Sequence, residues 1–431
     1  MNHPPVAQQD FSAGDPTPSS PLRRGIARYP VEFTGSGREY FRVWIVNVLL
    51  SVVTLGLYTP WARRRKAQYF FTHTRVVDAP LEFAGRLRQM VFGFLVFAAL
   101  YGCYELSINT GQDLVTKGLL IGAAVLWPLL WTSAMRFRLR ATRWRGLALN
   151  FHAPLRQVYA ACWPALLAAG LLAAAYELSL VLSRWHMNDL PPIGQCRRPG
   201  VAELDFPLWI GPTQAVLAVA LLLVLPCVAR LDYNFKRLLV LRTRIGDAAG
   251  RFKPTYRDFL HVWARTALIF GAGVLVLYGL YEMTERGFAD PFGWLIEMVE
   301  GSTASMVLAI LLYGLILALL FVFLTGPARA YREARLFQLV WNNVGLGHMT
   351  RTRCDLRTGA YVGLRVKNML LTYVTLGFYR PFAVASEYAA KAGSVTFYVK
   401  GRIDQLEGEL VRQQGAFGDA AADALGLDFI G

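Results

Sequence analysis

The sequence predicts an all-α polytopic membrane protein of four pseudo-repeated helix pairs. It gives about eight membrane segments, the first and last re-entrant or half-spanning, joined by short cytoplasmic β-hairpins. Three observations carry this reading. The 431-residue chain is 55% hydrophobic and only 17% charged, with mean hydropathy +0.34, which is more apolar surface than a soluble domain of its size buries. Its apolar residues fall in runs of about 20, the length that crosses a hydrocarbon core of about 30 Å. Between the runs, Thr-x8-Phe-x4-Arg recurs at one spacing: Thr74/Phe83/Arg88, Thr142/Phe151/Arg156 and Thr243/Phe252/Arg257, with a degenerate copy at Asn343, Thr352 and Arg357. Self-similarity at this scale marks a repeat architecture.

In chain order, residues 1–28 are rich in Pro, Gln, Asp and Ser and have no apolar core after their first basic residues, so they read as a tail and not a secretory signal. Seven apolar runs follow, near 89–108, 114–135, 158–183, 207–229, 260–281, 304–326 and 364–383, with an eighth at 42–61 ahead of them. The helix pairs are then 29–108, 114–183, 207–281 and 304–403, and residues 404–431 form a mobile C-terminal tail with a short helical pattern at 403–411.

Orientation follows from charge. The net charge of +16 sits in alternate connectors: Arg63, Arg64, Arg65, Lys66 and Arg88; Arg136 to Arg156; Arg230 to Arg257; Arg329 to Arg357. The other connectors hold Lys117 alone, then Arg184, Arg197 and Arg198, then Arg286 among Glu282, Glu285, Asp290, Glu297 and Glu300. Short basic loops remain on the cytoplasmic side, so the repeat connectors are cytoplasmic and nucleic acid is not the expected partner. Full spanning by 42–61 and 364–383 would place both basic tails outside, against this rule. The two segments align without a gap, Asn47-Val-Leu-Leu-Ser-Val-Val-Thr-Leu-Gly-Leu-Tyr-Thr-Pro60 on Asn368-Met-Leu-Leu-Thr-Tyr-Val-Thr-Leu-Gly-Phe-Tyr-Arg-Pro381. Their Gly, Pro and hydroxyl residues suit bent, half-spanning helices.

Within each connector a basic helical stretch, such as Arg63 to Tyr69, gives way to extended chain. Asp-Ala-Pro, Arg-Gly and Gly-Asp centres at 74–83, 142–151 and 243–252 are hairpin signals. Val31 to Thr34 and Val395 to Lys400 are strand-like pieces that can join the same layer. The arginines anchor helices at headgroup level and also form a candidate anionic-lipid contact, here Arg63, Arg64, Arg65, Lys66, Arg88, Arg156, Arg257 and Arg357, since such clusters attract acidic headgroups at about 1 kcal/mol per residue. Membrane lipid is therefore the expected partner, with a small solute or ion beside it.

Polar groups recur inside the apolar runs. Leu100-Tyr-Gly-Cys-Tyr-Glu105 is echoed by Leu277-Tyr-Gly-Leu-Tyr-Glu282 and by Tyr176-Glu177. Glu105, Glu177 and Glu282 with Tyr104, Tyr176 and Tyr281 form a candidate intramembrane polar site for a cation, an amine or a proton. At 1.5 Å per residue Glu105 lies about 25 Å from Arg88 and Glu177 about 31 Å from Arg156, which also suits an anchor at the outer interface. Pro60, Pro128, Pro226 and Pro327 sit near the cytoplasmic ends of the odd runs and read as helix ends, while Trp127, Trp131, Trp163 and Trp209 read as an aromatic belt. Cys103, Cys162, Cys196, Cys227 and Cys354 lack zinc or redox spacing. His73, His152 and His261 lie nearest the repeat landmarks without a catalytic partner. No phosphate loop, His-Glu-x-x-His or Gly-x-Ser-x-Gly occurs, so the expectation is a protein without catalytic residues, metal or cofactor.

Tyr29-Pro-Val-Glu-Phe-Thr-Gly-Ser-Gly-Arg-Glu-Tyr-Phe-Arg-Val-Trp-Ile-Val-Asn47, followed by Val53-Thr-Leu-Gly-Leu-Tyr-Thr-Pro-Trp-Ala-Arg63, resembles the YjgN family of bacterial inner-membrane proteins, a domain of unknown function. The resemblance runs from about Tyr29 to about Gly401 and implies a Gram-negative inner-membrane location; it carries over no catalytic or ligand residue. The C-terminal copy departs from the motif at Phe382, where the first has Trp61, and at Val384-Ala-Ser-Glu387, where the first is Arg-rich. The resulting expectation is a transporter or channel-like protein for a small solute or ion. The alternative is a non-transporting protein that binds anionic lipid or a cytoplasmic partner through its basic face.

Overall fold

The computed structural model describes residues 26–188, 212–245, 248–285, 302–346, 350–400 and position 408. Residues 189–211 and 286–301, with Cys196, Trp209 and the acidic connector, the Gly246-Asp247 pair expected as a hairpin centre and nearly all of residues 401–431 lie outside the described residues. The elements run β1 (Ile26–Phe33), α1 (Gly37–Val53), α2 (Thr59–Thr72), β2 (Thr74–Val76); then β3 (Ala79–Phe83), α3 (Leu87–Asn109), α4 (Asp113–Ala141), β4 (Thr142–Trp144). They continue through β5 (Leu147–Ala148), β6 (Asn150–Phe151), α5 (Leu155–Ala161), α6 (Trp163–Asn188), α7 (Pro212–Arg242), β7 (Thr243–Ile245), β8 (Ala248–Phe252), α8 (Tyr256–Glu285) and α9 (Thr303–Trp341). Then come β9 (Val344–Leu346), β10 (Thr350–Cys354), α10 (Thr358–Val374), α11 (Arg380–Ala392) and β11 (Val395–Lys400). Among the described residues the order strand, helix, helix, strand thus comes round five times, the third round with β5 and β6 as its first strand and α5 preceding α6.

Among the described residues six helical stretches are long and apolar enough to cross a membrane: Leu87–Asn109, Asp113–Ala141, Leu155–Ser183, Ala215–Arg242, Tyr256–Gly279 and Thr303–Trp341. Little of their apolar surface is buried inside the protein. Phe92, Phe97, Leu166, Leu222, Leu268 and Leu311 are among the exposed side chains, as expected where lipid, not protein, is the neighbour. The chain is a polytopic membrane protein.

The segments near 42–61 and 364–383 are built differently. Each is two short helices that reverse on one tight turn, α1 into α2 and α10 into α11. In the first turn Leu55 and Gly56 take φ +50° and +89°; in the second Leu376 and Gly377 take +49° and +93°. Glycine adopts this left-handed region freely and leucine does so at a cost, so the Leu-Gly pair of Thr-Leu-Gly-x-Tyr is a turn instruction. Thr54 fastens the turn by donating Oγ1 to Leu50 O (2.7 Å) and accepting the Tyr58 N–H (3.0 Å). Thr375 repeats both bonds with Leu371 (2.6 Å) and Tyr379 (2.9 Å).

The strands explain the repeated motif. Thr74 Oγ1 donates to Phe70 O (2.6 Å), Thr142 Oγ1 to Arg138 O (3.0 Å) and Thr243 Oγ1 to Leu239 O (2.6 Å), while Asn343 Nδ2 donates to Leu339 O (2.9 Å). The first motif residue therefore satisfies a carbonyl that the ending helix leaves open as the backbone turns extended. Phe83 faces Thr142, Phe151 faces Thr243 and Phe33 faces Thr74 at the start, each the first residue of the following copy, while Phe252 faces Val344, one residue past Asn343. Each helical pair is thus closed at its base by its own two strands. The Phe-x-Gly piece has a packing reason, since a Cβ on Gly35 or Gly85 would lie 2.6 Å from the ring of Phe33 or Phe83.

Strands β10-β11-β1-β2-β3-β4-β5 form one antiparallel sheet and β6-β7-β8-β9 another. Only Leu149 separates β5 from β6, and Thr352 Oγ1 of β10 donates to Val344 O of β9 (2.9 Å), so the two sheets adjoin at both ends. The Arg145-Gly146 hairpin turn has φ +47° and +78°, the two positive values that a type I′ turn needs. The first hairpin departs from expectation. Its turn is Val77-Asp78, φ +54° and +60°, while Ala79 and Pro80 already pair with Val76 and Arg75.

Two further expectations are corrected. Residues 26–28, read as tail, belong to β1, which pairs with β11 from Ile26↔Lys400 to Pro30↔Thr396. Pro128, Pro226 and Pro327 lie inside α4, α7 and α9 and do not end them; those helices run on to the Thr or Asn at the first strand, where the exit bond is made. Pro60 and Pro381 instead stand in the first turn of α2 and α11, where a missing N–H costs nothing. The packed core lies where helices meet strands, as Tyr40, Tyr69 and Phe70 beside Phe33 and Tyr388, and as Tyr233, Phe259, Val262 and Leu336. Trp131, read as belt, joins this level, 4.6 Å from Phe235 and 5.8 Å from Phe151 between ring centroids.

Candidate functional site

The two helical hairpins are neighbours. Gly37 of α1 meets the Phe382 ring of α11, Phe41 stacks on Phe382 at 5.6 Å, and Trp44 meets Phe378 edge-on at 6.5 Å. Asn47 and Asn368, the matching first residues of the aligned segments, are both buried, and the side-chain oxygen of each has no hydrogen-bond partner. Unsatisfied buried acceptors are costly and uncommon, so the same omission at two equivalent places calls for a function or for water.

Asn368 belongs to a polar cluster that joins α9, α10 and α11. Its Nδ2 donates to Glu387 Oε1 (3.1 Å), Ser386 Oγ (3.0 Å) and Ala383 O (3.3 Å). Arg365 pairs with Glu387 and lies 3.7 Å from Glu333, which also pairs with Lys391. Lys391 sits over the Tyr361 ring at 5.3 Å. Tyr361 is 1% exposed, with its hydroxyl beside the Glu333 carboxylate; burial first, then the neighbouring Glu333 charge, raises its pKa. Sequence reading missed this cluster. Its signal was the divergence of the two aligned segments, because Arg365, Glu387 and Lys391 replace Trp44, Lys66 and Phe70 of the first copy.

Among the residues expected from sequence, Glu105, Glu177 and Glu282 stand on α3, α6 and α8, whose main packing is against α4, α7, and α7 with α9. Their own helices do not bring them together. Tyr278 hydroxyl donates to Glu282 Oε1 (2.6 Å), and Tyr101 stands in the same i, i+4 register beside Glu105. The acting tyrosine is the one four residues earlier, the helical neighbour, and not the adjacent Tyr104 or Tyr281; the side chain of Tyr281 is outside the described residues. Tyr176 and Glu177 are exposed.

The expected lipid contacts lie at the strand side. Arg63, Arg65 and Lys66 of α2 are exposed, whereas Arg64 is half-buried with an unpartnered Nε. Lys66 is exposed as a residue, but partial desolvation of its ammonium, with Arg380 nearby, holds its pKa below the ordinary lysine value. Arg88, Arg156 and Arg257 are each the second residue of the helix that follows a strand, Arg357 immediately precedes α10, and all four are exposed. Arg38 of α1 has the same place and the same Phe-x4-Arg spacing from Phe33, a fifth copy that a search for the shorter motif would find. Cations at a helix N-terminus oppose the helix dipole, so these positions gain nothing from the helix itself.

The fold and these sites define a multi-pass membrane protein with a basic strand face and polar helical hairpins. Residues 28–424 match the family described as bacterial protein of unknown function (DUF898), and the chain belongs to that family. It is similar to the inner membrane protein YjgN of Escherichia coli O157:H7, 26% identical over 141 residues, which is 32% of this chain and 35% of that one. It is likewise similar to YjgN of Salmonella typhimurium strain LT2, 28% identical over 155 residues, 35% of this chain and 38% of that one. These alignments span little more than a third of the relatives' length. No solved structure matches. The protein is a multi-pass protein of the bacterial inner membrane.

Proposed function

We propose that the protein is a non-catalytic channel- or transporter-like protein that moves a small solute or ion across the inner membrane. In this reading α1/α2 and α10/α11 dip part-way into the bilayer from the cytoplasmic face, giving eight membrane segments of which the six between them cross fully. The observation that carries it is the matched pair Asn47 and Asn368, buried on facing hairpins with unpartnered amide oxygens. Broken helices at membrane depth are tolerated where protein or water satisfies their polar groups, and transporters place their sites at such breaks. The exposed hairpin tips Leu55 (94%) and Leu376 (90%) suit insertion into lipid. Glu105, Glu177 and Glu282 would then mark the outer boundary of the spanning helices. In proteoliposomes a panel of monovalent ions and small zwitterions should show flux above empty vesicles, and Asn368→Leu should abolish it with the protein still folded. Flux unaffected by Asn47→Leu and Asn368→Leu would remove the hairpins from the path.

A second reading, binding of anionic lipid without transport, is favoured by the exposed arginines at helix starts. Neutralising Arg63 to Lys66 should then reduce co-purified acidic phospholipid by several-fold, with no flux in either protein.

A further inference from the structure

A cleft of about 300 Å³ opens between the first turns of α8 and the last turns of α9, lined by Asp258, His261, Arg265, Tyr331, Arg335 and Gln338, and by Asn342 and Asn343 at its lower edge. This is the lower end of the volume range for small-molecule sites. Its acceptors are largely committed to the fold. Asp258 Oδ2 takes both the backbone N–H and the hydroxyl of Thr255 at 2.8 Å, Asn342 Oδ1 takes the Cys354 N–H at 2.7 Å, and Gln338 Oε1 takes Arg335 Nη1 at 3.1 Å. Donors are left over. Among the described residues Arg265 has no ion pair or hydrogen bond, nor has the His261 ring or the Tyr331 hydroxyl, and Arg335 uses one of its five N–H groups. Two guanidiniums face one carboxylate that is already engaged.

We infer that this cleft binds a small oxyanion, a phosphate or carboxylate group, held by Arg265 and Arg335 with His261 and Tyr331 as further donors. Guanidinium N–H pairs match such oxygens two at a time. The group can belong to a soluble anion or to the headgroup of an acidic phospholipid, because the cleft lies where helices leave the apolar stretch for the strands. As the solute of a permeation path it would rest on the transport reading; as a binding site it does not, and the test is therefore equilibrium binding and not flux.

The full chain is placed in phosphatidylcholine nanodiscs. Binding of radiolabelled inorganic phosphate is measured, and retention of added phosphatidylglycerol is followed by native mass spectrometry. Arg265→Gln should weaken the bound probe by about tenfold or more, whereas Arg138→Gln, exposed on α4 and outside the cleft lining, should leave it unchanged; Arg265→Lys, which keeps charge and loses the fork, should fall between. Phosphate bound and lost in Arg265→Gln identifies a soluble anion, and phosphatidylglycerol alone bound and lost identifies a headgroup. Neither probe bound, or equal binding by all four proteins, overturns the site. Binding lost in Arg265→Gln from a protein without flux would leave the site standing and remove the transport reading alone.

Discussion

Thr142 closes helix α4 by donating its hydroxyl to Arg138 O, and it faces Phe83 across the β3–β4 ladder. The two residues bracket one entire helical pair, α3 and α4, so a local bond at a helix end also fixes where two membrane helices meet the strand layer.

Thr142→Val keeps the shape and the strand preference but removes the donor, and Thr142→Ser restores it. The expected loss is about 1 kcal/mol for Val and little for Ser. Thermal unfolding in detergent measures the difference; equal melting of Val and Ser variants would show that the hydroxyl does not close the helix.

Glu387 is 7% exposed and pairs with Arg365. Glu387→Gln leaves a half-buried guanidinium with a weakened partner, and removing one member of a buried pair costs roughly 3–5 kcal/mol. The discount for the one-third exposure of Arg365 brings the expectation to about 2 kcal/mol. Replacing both members, Arg365→Met with Glu387→Leu, should recover most of it. A double variant as unstable as the single one would mean that Asn368 and Lys391, and not the pair, hold α11.

The hairpin turns predict a glycine-specific effect. Gly377 has φ +93°, and nothing lies within 4 Å of the place a Cβ would take, so substitution there tests the backbone alone. Gly377→Ala should cost about 1 kcal/mol, while Gly363→Ala, a helical glycine with equally open surroundings, should stabilise slightly. Thermal unfolding of the two variants in detergent separates them, and equal melting would mean that the left-handed turn is not held in the folded protein.

Tyrosines at the base of the two hairpins set an alkaline limit. Burial chiefly pushes Tyr40 up to about 12, and it raises Tyr69 and Tyr388 as well. A raised folded value means that the unfolded chain loses its protons first. The stability these groups contribute is complete below the unfolded value of about 10 and is lost as pH rises from there through the folded value. Tyrosinate absorbance followed against pH should therefore show a delayed group of tyrosines that ionise with unfolding. Titration of all tyrosines near their ordinary value, with the fold intact, would contradict the burial.

Much of this architecture was legible in the chain. The Thr and Phe of the motif mark helix exit and strand because each residue acts locally, and Asn343 could be recognised as a substitute for Thr since either side chain reaches the carbonyl four residues back. The partner of each motif was hidden: Phe83 pairs with Thr142 only after two helices have been crossed, and no spacing within the motif encodes that. Proline misled for a related reason, since Pro128, Pro226 and Pro327 break a helix in isolation but lie in helices whose neighbours hold them. The charged cluster escaped because Glu333, Arg365, Glu387 and Lys391 come from three helices and share no period. The Asn47 and Asn368 segments were recognised as relatives, and their Leu-Gly turns show why neither is a single spanning helix.

Both hairpins return to the side they leave, which brings β1 and β11 together with the basic connectors. The measurement that tests this most directly is a paired fusion after Lys400 in cells: alkaline phosphatase, active only in the periplasm, and green fluorescent protein, fluorescent only in the cytoplasm. The expected result is an inactive phosphatase and a fluorescent partner fusion. An active phosphatase with a dark partner would mean that 364–383 crosses the membrane, and the β1–β11 pairing with the paired hairpins would fall with it.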